Sequence, residues 1–425
     1  MNDTDKSEVL YGESKEVTPG GVSSPVRAFK PYPIFVSKGS GSHIFDVDGK
    51  EYIDLCMAYG PLITGHACPR VMDAAREQMS KGTVFGAPSE PELRMIERIH
   101  REVPSAEMVR LACSGTEATM HAIRVARGVT GKDGIIKMNG GFHGAHDAAL
   151  VAAGSGSTGG VPSSKGVLAD VAKHTFTAEY NSIESMAGII EGNEDIACVI
   201  MEPVMGNVGV VTPEKGYLEA VRKLTSDNDV ILIFDEVITG FRLSSAGAQG
   251  LYGVTPDMTT MAKIIGGGFP AGAFAGRKDI MENVAPQGPV YVAGTFAGNP
   301  VSTAAGYAQI DLMCSNGNYD KLNARTSGLT SSLSDMMEDS KVKGCINTVG
   351  SMFSIFFGLE SVRNGTEAMK VDRTMFDRLF RYMLSHGIYL PPSALEVEFM
   401  SIAHTEEDVT RFEEAFAGFL KGIKA

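Results

Sequence analysis

Two adjacent acids close an apolar stretch in the middle of the chain. Residues 231–242 read ILIFDEVITGFR, so four apolar residues run directly into Asp235 and Glu236. An unpaired carboxylate at the end of a buried strand is costly, so we expect Asp235 to have a partner. In open α/β sheets, ligands bind outside the carboxyl ends of the strands. Asp235 is therefore a candidate site residue.

A lysine provides the second candidate. Lys263 lies in MAKIIGGGFPAG, 28 residues after Asp235, which leaves room for one more helix and strand. A lysine in this setting is either a surface residue with a buried stem or a partly desolvated amine. A desolvated amine has a lowered pKa and suits Schiff-base chemistry.

A helix start provides the third candidate. In CSGTEATMHAIRVARG, Ser114, Gly115 and Thr116 open a predicted helix that Gly128 closes. The free N–H groups of a helix start can bind an anion, although a plain N-cap is the alternative. An anion cup, a strand-end acid and a shielded lysine are together the parts of a pyridoxal-phosphate site. The partner of Asp235 would then be the pyridine nitrogen of the cofactor.

Two other motifs would indicate different chemistry, and a third is absent. Gly154, Gly156 and Gly159 match GxGxxG, but GVPSSKG follows in place of a helix, so a dinucleotide site is disfavoured. The GxxxxGK[ST] motif of a P-loop does not occur. The stretch FHGAHD offers His143, His146 and Asp147 as metal ligands, and structural histidines are the simpler interpretation. A metal-dependent hydrolase and a non-catalytic binding protein stay open as rival functions.

The composition indicates a globular enzyme. The chain has 425 residues, of which 43% are hydrophobic and 21% charged, and its net charge is −13. This charge argues against nucleic acid and against an anionic membrane surface as partners. No apolar run is long enough to span a bilayer. The six cysteines form no CxxC pair, which predicts reduced thiols in the cytoplasm.

The pattern of elements predicts an α/β fold. Short apolar runs such as GIIKM, IACVIME and VILIFDE alternate with helical patterns from about residue 69 to residue 300. This alternation predicts a mostly parallel central sheet covered by helices. GSHIFDVDGKEYIDL predicts a hairpin before it, and one long helical stretch follows Pro300. We predict an N-terminal segment, 1–58, that joins the small domain, a large domain, 59–300, and a small α+β domain, 301–425.

Several stretches resemble a known family. FDEVITGFR, AKIIGGGFPAGAFAG, CSGTEATMHAIRVARG, GFHGAHD and GTFAGNP resemble the class III aminotransferases, which are pyridoxal-phosphate enzymes of fold type I. PGGVSSPVRAF and SIAHTEEDV are similar to the aminomutase branch of that family. The resemblance extends from about Pro19 to the C-terminus.

The resemblance implies roles for particular residues. Lys263 would be the Schiff-base lysine and proton shuttle, Phe142 would stack on the ring, and residues 154–166 would form a mobile lid. Thr295 would reach the cofactor phosphate of a neighbouring subunit. Arg27 would be a buried arginine, which Glu396 would neutralise when no substrate is bound. The implied cofactor-binding residues are Ser114, Gly115, Thr116, Phe142, His143, Glu202, Asn207, Asp235, Val237, Lys263 and Thr295. The implied substrate-binding residues are Ser24, Arg27, Tyr59, Ser155 and Glu396.

The resemblance also implies an activity and partners. Pyridoxal 5′-phosphate would alternate with pyridoxamine 5′-phosphate, and an amino group would move within one small-molecule substrate. (S)-4-amino-5-oxopentanoate would become 5-aminolevulinate for tetrapyrrole synthesis. The alternative is an aminotransferase with a separate amino donor and acceptor. The implied assembly is a cytoplasmic homodimer with shared active sites that makes transient contact with the upstream reductase.

Overall fold

The structure is a computed structural model that describes residues 5–151 and 164–424. The two longest of the helices in these ranges follow residue 300. In chain order the helices are α1 (Lys6–Val17), α2 (Pro69–Lys81), α3 (Glu90–Glu102), α4 (Gly115–Thr130), α5 (Ala169–Ala172), α6 (Ile183–Glu191), α7 (Tyr217–Asp227), α8 (Gly247–Tyr252), α9 (Lys278–Met281), α10 (Pro300–Met313), α11 (Asn318–Ser340), α12 (Gly365–Ala368), α13 (Arg373–Ser385) and α14 (Glu406–Lys424).

The strands of the described residues form three sheets. In chain order they are β1 (Val36–Ser40), β2 (His43–Asp46), β3 (Glu51–Asp54), β4 (Met108–Ala112), β5 (Gly134–Met138), β6 (Thr175–Ala178), β7 (Ile196–Met201), β8 (Ile231–Asp235), β9 (Met258–Ala262), β10 (Gly272–Gly276), β11 (Gly344–Val349), β12 (Met352–Phe357), β13 (Ile388–Tyr389) and β14 (Glu398–Phe399).

The central sheet has the strand order β4-β10-β9-β8-β7-β5-β6. Neighbouring strands pair in parallel from β6 to β9, and β10 pairs antiparallel with both β9 and β4. Every residue of β5, β7 and β8 is buried, which explains their nearly continuous apolar sequences. The predicted mostly parallel sheet is confirmed.

The order of the sheet brings two candidate residues together. Asp235 is the last residue of β8, and Lys263 is the first residue after β9. These strands are adjacent and parallel, with Asp235 opposite Thr260. Both side chains therefore emerge at the carboxyl edge of the sheet, where ligands bind in such folds.

Helix α4 begins at the same edge but ends later than predicted. We expected Gly128 to close it, but the helix continues to Thr130, and Gly131 caps it with φ +69°. Gly128 has a packing role, because a Cβ there would lie 2.6 Å from a γ-methyl of Val290. The long helical stretch predicted after Pro300 is also interrupted, because Gly317 has φ +65° between α10 and α11.

Two smaller sheets join distant parts of the sequence. The hairpin β2-β3 is confirmed, and β3 pairs in parallel with β13 from the C-terminal part. The other small sheet has the order β11-β12-β14. Domain boundaries near residues 58 and 300 stay a prediction. No helix in the described ranges has the length and apolar character needed to cross a membrane.

Candidate active site

Asp235 has a protein partner, His143. Asp235 is buried, and its Oδ2 lies 2.7 Å from Nδ1 of His143. Its Oδ1 accepts hydrogen bonds from the Val237 N–H at 3.0 Å and from the Thr260 hydroxyl at 3.2 Å. These contacts compensate for the loss of water around the buried carboxylate. They also fix the direction in which it faces.

The neighbouring acid, Glu236, has a different environment. Its carboxylate accepts hydrogen bonds from the Ala248 N–H at 2.6 Å and the Thr239 hydroxyl at 2.9 Å, and it also contacts Gln249. These bonds satisfy the start of α8. Gly247 makes the approach possible, because a Cβ there would lie 2.2 Å from Glu236 Oε2. Of the two adjacent acids, Asp235 therefore faces the candidate site, whereas Glu236 accepts hydrogen bonds from the start of α8.

Lys263 is the first residue of a short 3₁₀ turn and has a left-handed backbone with φ +49°. Burial lowers the pKa of its amine, and the charges of Glu396, Glu202 and Asp235 act against that shift. The charge of Arg242 lowers the pKa further. A lysine with a lowered pKa is more often neutral and therefore more nucleophilic.

The start of α4 is both a cap and an open helix end. The hydroxyl of Ser114 accepts a hydrogen bond from the Glu117 N–H at 3.1 Å, so the N-cap interpretation is correct for this side chain. The first N–H groups of a helix have no acceptor within the helix and favour an anion. A Cβ on Gly115 would lie 3.1 Å from both γ-methyls of Val237, so a small residue suits this position.

Glu202 organises the third side of the site. Its Oε1 accepts from the Phe142 N–H at 3.1 Å, and its Oε2 accepts from the Gly206 N–H at 2.8 Å and from Asn207 Nδ2 at 2.9 Å. Burial raises the pKa of Glu202, and the charge of His143 opposes that shift. Glu202 thus links Phe142 and Asn207, two residues that we had named separately.

These residues surround one cavity of about 470 Å³. It contains an acid, an amine and a helix start, which fits the chemistry of a phosphorylated aromatic cofactor. Of the predicted site residues, the lining includes Ser114, Gly115, Thr116, Phe142, His143, Glu202, Asn207, Asp235, Val237 and Lys263.

Two of the predicted substrate residues lie outside this cavity. Arg27 and Tyr59 line a second cavity of about 490 Å³, where the Tyr59 hydroxyl donates to the Val26 carbonyl at 2.6 Å. Ser24 precedes the short 3₁₀ turn that carries Arg27. We expected a buried arginine, but the Arg27 side chain is exposed because that turn lies at the surface. Glu396 is buried, at 8% exposure.

Two further predictions fall elsewhere. Thr295 is exposed and lines a third cavity, of about 620 Å³. Lys263 does not line this cavity. Ser155 and most of the predicted lid, residues 154–163, lie outside the described residues.

His143, His146 and Asp147, the alternative metal ligands, are not grouped around a common point. His143 contacts Asp235, and burial together with the charge of His143 lowers the pKa of His146 to about 4. Within the described residues, the three potential ligands that lie within 4.8 Å of one another are Asp133, His174 and Asp195. They precede β5, β6 and β7, at the opposite edge of the sheet from the cavity. His143, His146 and Asp147 therefore give no support to a hydrolase.

The family follows from a comparison of the whole sequence. A sequence model described as aminotransferase class-III matches residues 25–405. The chain belongs to the class III aminotransferases. Among curated class III relatives, a glutamate-1-semialdehyde 2,1-aminomutase of Archaeoglobus fulgidus is 53% identical and is matched over 97% of this chain and 98% of its own. The enzyme of that name from Methanothrix thermoacetophila is 52% identical over 98% and 96% of the two chains.

Solved structures of other transaminases share the fold of this class III aminotransferase. An omega-transaminase from Sphaerobacter thermophilus superposes with a TM-score of 0.94 at 31% identity, covering 100% of this chain and 99% of its own. A transaminase with pyridoxal phosphate bound gives 0.90 at 30% identity, with coverage of 100% and 99%. A glutamate-1-semialdehyde aminomutase variant from Pseudomonas aeruginosa, in complex with pyridoxamine phosphate, gives 0.88 at 25% identity, with coverage of 98% and 94%.

Sequence reasoning about this class III aminotransferase missed the residues that support the site. Thr260 holds Asp235 from β9, and Thr119 donates to the His143 carbonyl at 2.6 Å. Lys137 is wholly buried in β5. The signal available was a polar residue inside an apolar strand, as in MTTMA and GIIKM. Such a residue needs a partner, and for Thr260 that partner is Asp235.

Proposed function

We propose that this chain converts glutamate 1-semialdehyde, (S)-4-amino-5-oxopentanoate, to 5-aminolevulinate by intramolecular amino transfer, with pyridoxal phosphate as cofactor. The observation that carries the proposal is the similarity over nearly the whole chain to aminomutases of that name, at 53% and 52% identity. The product would serve tetrapyrrole synthesis.

The described cavity fits the cofactor. Its phosphate would lie at the start of α4, where Gly115 leaves space and the helix dipole favours an anion. Asp235 would face the pyridine nitrogen, and Lys263 would supply the amine that holds the group covalently. Phe142 and Val237, both on the cavity wall, would pack against its ring. Bound pyridoxal phosphate supplies an electron-withdrawing ring and an aldehyde that exchanges amines with the substrate.

The residues of the chain would then perform two tasks. Asp235, held by His143, would present its carboxylate to the ring nitrogen and favour the protonated form of that nitrogen. Lys263 would serve as the proton carrier of the site, because a lowered pKa lets the same amine both accept and donate a proton. Glu202 would keep Phe142 and Asn207 in place through its hydrogen bonds to them.

Recognition of the substrate carboxylate is assigned to Arg27 under this proposal. Arg27 lines the cavity beside Tyr59, and its guanidinium can form a two-pronged contact with a carboxylate. Ser24 and Tyr59 would complete this end of the site, with Ser155 from the lid. Glu396 is buried, and its charge acts on Lys263, so we infer that it competes with the substrate for Arg27 in the empty site.

The decisive experiment supplies the semialdehyde to the purified holoenzyme without any second amino donor or acceptor. Formation of 5-aminolevulinate, with several turnovers per cofactor, is the expected result. An enzyme that instead stops after one turnover and resumes only when an amino acid or keto acid is added is a conventional aminotransferase. Lys263→Ala protein provides the background rate.

We also propose a homodimer in which Thr295 completes the partner's site. Thr295 is exposed beside a set of exposed apolar side chains, which a second copy would cover. Those side chains are Val84, Phe85, Tyr291 and Phe296, at 43%, 50%, 73% and 59% exposure.

We further propose a cytoplasmic location for this enzyme. All six cysteines are free, which is typical of proteins in a reducing compartment. Transient contact with the upstream reductase stays a prediction.

A further inference from the structure

A buried lysine that the proposed function does not use lies in the central sheet. Lys137 of β5 has no exposed surface. Its ammonium donates hydrogen bonds to three backbone carbonyls, Gly141 at 2.7 Å, Ala149 at 3.3 Å and Val151 at 2.5 Å. Among the described residues it forms no salt bridge with a carboxylate. All three N–H bonds of one charged group are thus used on a single stretch of main chain.

That stretch, residues 139–151, is here called the His143 loop. It carries Phe142, whose N–H contacts Glu202, and His143, whose ring contacts Asp235. Lys137 contacts the loop before these residues, at Gly141, and after them, at Ala149 and Val151. The position of both cavity-facing side chains therefore depends on a loop whose two ends meet at one ammonium.

Two threonines hold the middle of the same loop. The Thr119 hydroxyl donates to the His143 carbonyl at 2.6 Å, and the Thr175 hydroxyl donates to the Ala148 carbonyl at 2.9 Å. Each threonine contacts one carbonyl of the loop, whereas Lys137 contacts carbonyls near both of its ends, at Gly141 and Val151. Loss of the lysine would leave three buried carbonyls without their donor, and buried acceptors of this kind are strongly disfavoured.

Burial lowers the pKa of Lys137 to about 7, and the charge of Glu202 opposes that shift. Replacing a buried charge by an apolar side chain often stabilises a protein when no partner is left unsatisfied. The hydrogen-bond partners of Lys137 are main-chain carbonyls, so no side-chain substitution can remove them together with the charge. The arrangement therefore secures the geometry of the loop at the cost of burying a charge.

We propose that Lys137 is a positioning residue that joins the ends of the His143 loop and so keeps His143 in contact with Asp235. Its effect on catalysis rests on the proposed pyridoxal-phosphate function, because Asp235 acts through the cofactor ring. Its effect on the loop does not depend on the substrate.

The test compares Lys137→Met with wild type and with Leu333→Ala. Leu333 is fully buried in α11, so its truncation lowers stability without altering the loop. Hydrogen–deuterium exchange is measured on the cofactor-free and the cofactor-loaded protein. In Lys137→Met, we expect exchange in 139–151 to rise roughly tenfold or more while β8 stays protected. Leu333→Ala should leave this loop as in wild type.

Cofactor affinity and kinetics give the second measurement. Lys137→Met should weaken pyridoxal phosphate binding by roughly tenfold and lower kcat more than it raises KM, since the substrate carboxylate site is untouched. Lys137→Arg keeps the charge and the N–H donors, so it should recover part of the cofactor affinity and part of kcat. If Lys137→Met does not fold, Lys137→Gln, which keeps two N–H donors, is measured by the same criteria.

Unchanged loop exchange and unchanged cofactor affinity in the variant would overturn the proposal, as would equal loosening of the loop and of β8. Failure to form 5-aminolevulinate from the semialdehyde would instead overturn the proposed substrate. It would leave the exchange and affinity results standing.

Discussion

The imidazole of His143 and the carboxylate of Asp235 are joined by a 2.7 Å contact, and their side chains are 0% and 2% exposed. Asp235 is the last residue of β8, while His143 lies on a loop that follows β5 two strands away. The contact fixes the carboxylate relative to the helix start of α4, because Thr119 of that helix holds the His143 carbonyl. The acid and the anion-binding end of the site are thus positioned together.

Asp235→Asn should lower kcat by roughly 100-fold or more, the usual loss on removing one preorganised electrostatic partner. A neutral amide cannot keep the ring nitrogen protonated, whereas the contacts at the start of α4 remain. Steady-state kinetics and the cofactor dissociation constant are the measurements. Glu236→Gln is the matched control, since Glu236 faces α8, and it should change thermal stability while leaving kcat close to wild type. Equal losses in the two variants would contradict the separate roles of these acids.

Lys263→Ala should lose activity by roughly 10²–10⁴-fold or more, because it removes the proton-transfer group of the site. The protein should remain folded, because the left-handed backbone at this position already accommodates a β-carbon. Mass spectrometry after borohydride reduction should locate the pyridoxyl adduct on Lys263 in wild type. Lys278→Ala, at an exposed lysine, should retain both activity and adduct. An adduct on another lysine would refute the assignment.

Arg27→Lys should raise the apparent dissociation constant of a carboxylate-bearing substrate analogue by roughly tenfold, about 1.4 kcal/mol. The ammonium keeps the charge but loses the planar fork. An otherwise identical amine without the carboxylate should bind as before. Glu396→Gln should have the opposite effect and tighten small carboxylate inhibitors. If Arg27→Lys weakens both ligands equally, the role of Arg27 is structural.

Glu398→Gln should stabilise the protein in a pH-dependent way. Burial raises the pKa of Glu398 from 4.5 to about 8, with a further contribution from the charge of Glu396. Neither carboxylate oxygen has a hydrogen-bond partner in the described part of the chain. The folded protein thus retains a proton that the unfolded chain releases above pH 4.5, so this acid costs stability progressively as the pH rises to about 8.

Glutamine mimics the protonated acid and does not titrate. The gain in unfolding free energy of Glu398→Gln over wild type should be small at pH 4.5 and reach about 2–5 kcal/mol at pH 8. Denaturant titrations at both pH values measure it. Glu406→Gln replaces an exposed acid of α14, and its effect on the unfolding free energy should not rise in this way between pH 4.5 and pH 8. A gain that is the same at both pH values would contradict the raised pKa.

Phe296→Glu should convert the proposed dimer to a monomer and abolish turnover, because a charge would be buried at the contact between copies. Phe296 is 59% exposed next to Thr295. Sedimentation velocity and activity are measured on the same samples. Leu251→Glu, at an exposed leucine of α8, is the matched control and should stay dimeric and active. An active monomer would contradict the shared site.

The central sheet and much of the site could be predicted because their signals are local. Apolar runs such as ILIFD mark buried strands, and the acid or lysine at each strand end marks the ligand edge. The sequence could not show that Asp235 and Glu236 diverge, since this depends on how Gly247 lets α8 approach. Nor could it show the His143 contact, which requires the strand order β8-β7-β5.

Helix ends and exposure were harder to predict than strands. Gly128 resembles a helix terminator, but its missing side chain serves contact with Val290, and Gly131 performs the termination. Arg27 was expected to be buried because of its predicted role, yet it lies on an exposed turn. Both differences come from tertiary packing, which single-sequence periodicity does not encode.

The pairing of β3 with β13 has a consequence for synthesis of the chain. Ile53 of β3 pairs with Ile388 of β13. The sheet that contains β1, β2 and β3 therefore lacks its fourth strand until almost the entire polypeptide has left the ribosome. During that interval one edge of β3 is open to pairing with other nascent chains. Shortening of the chain at its C-terminal end, before residue 388, would make this exposure permanent. Proteins ending there should therefore accumulate as aggregates even though the central sheet is complete.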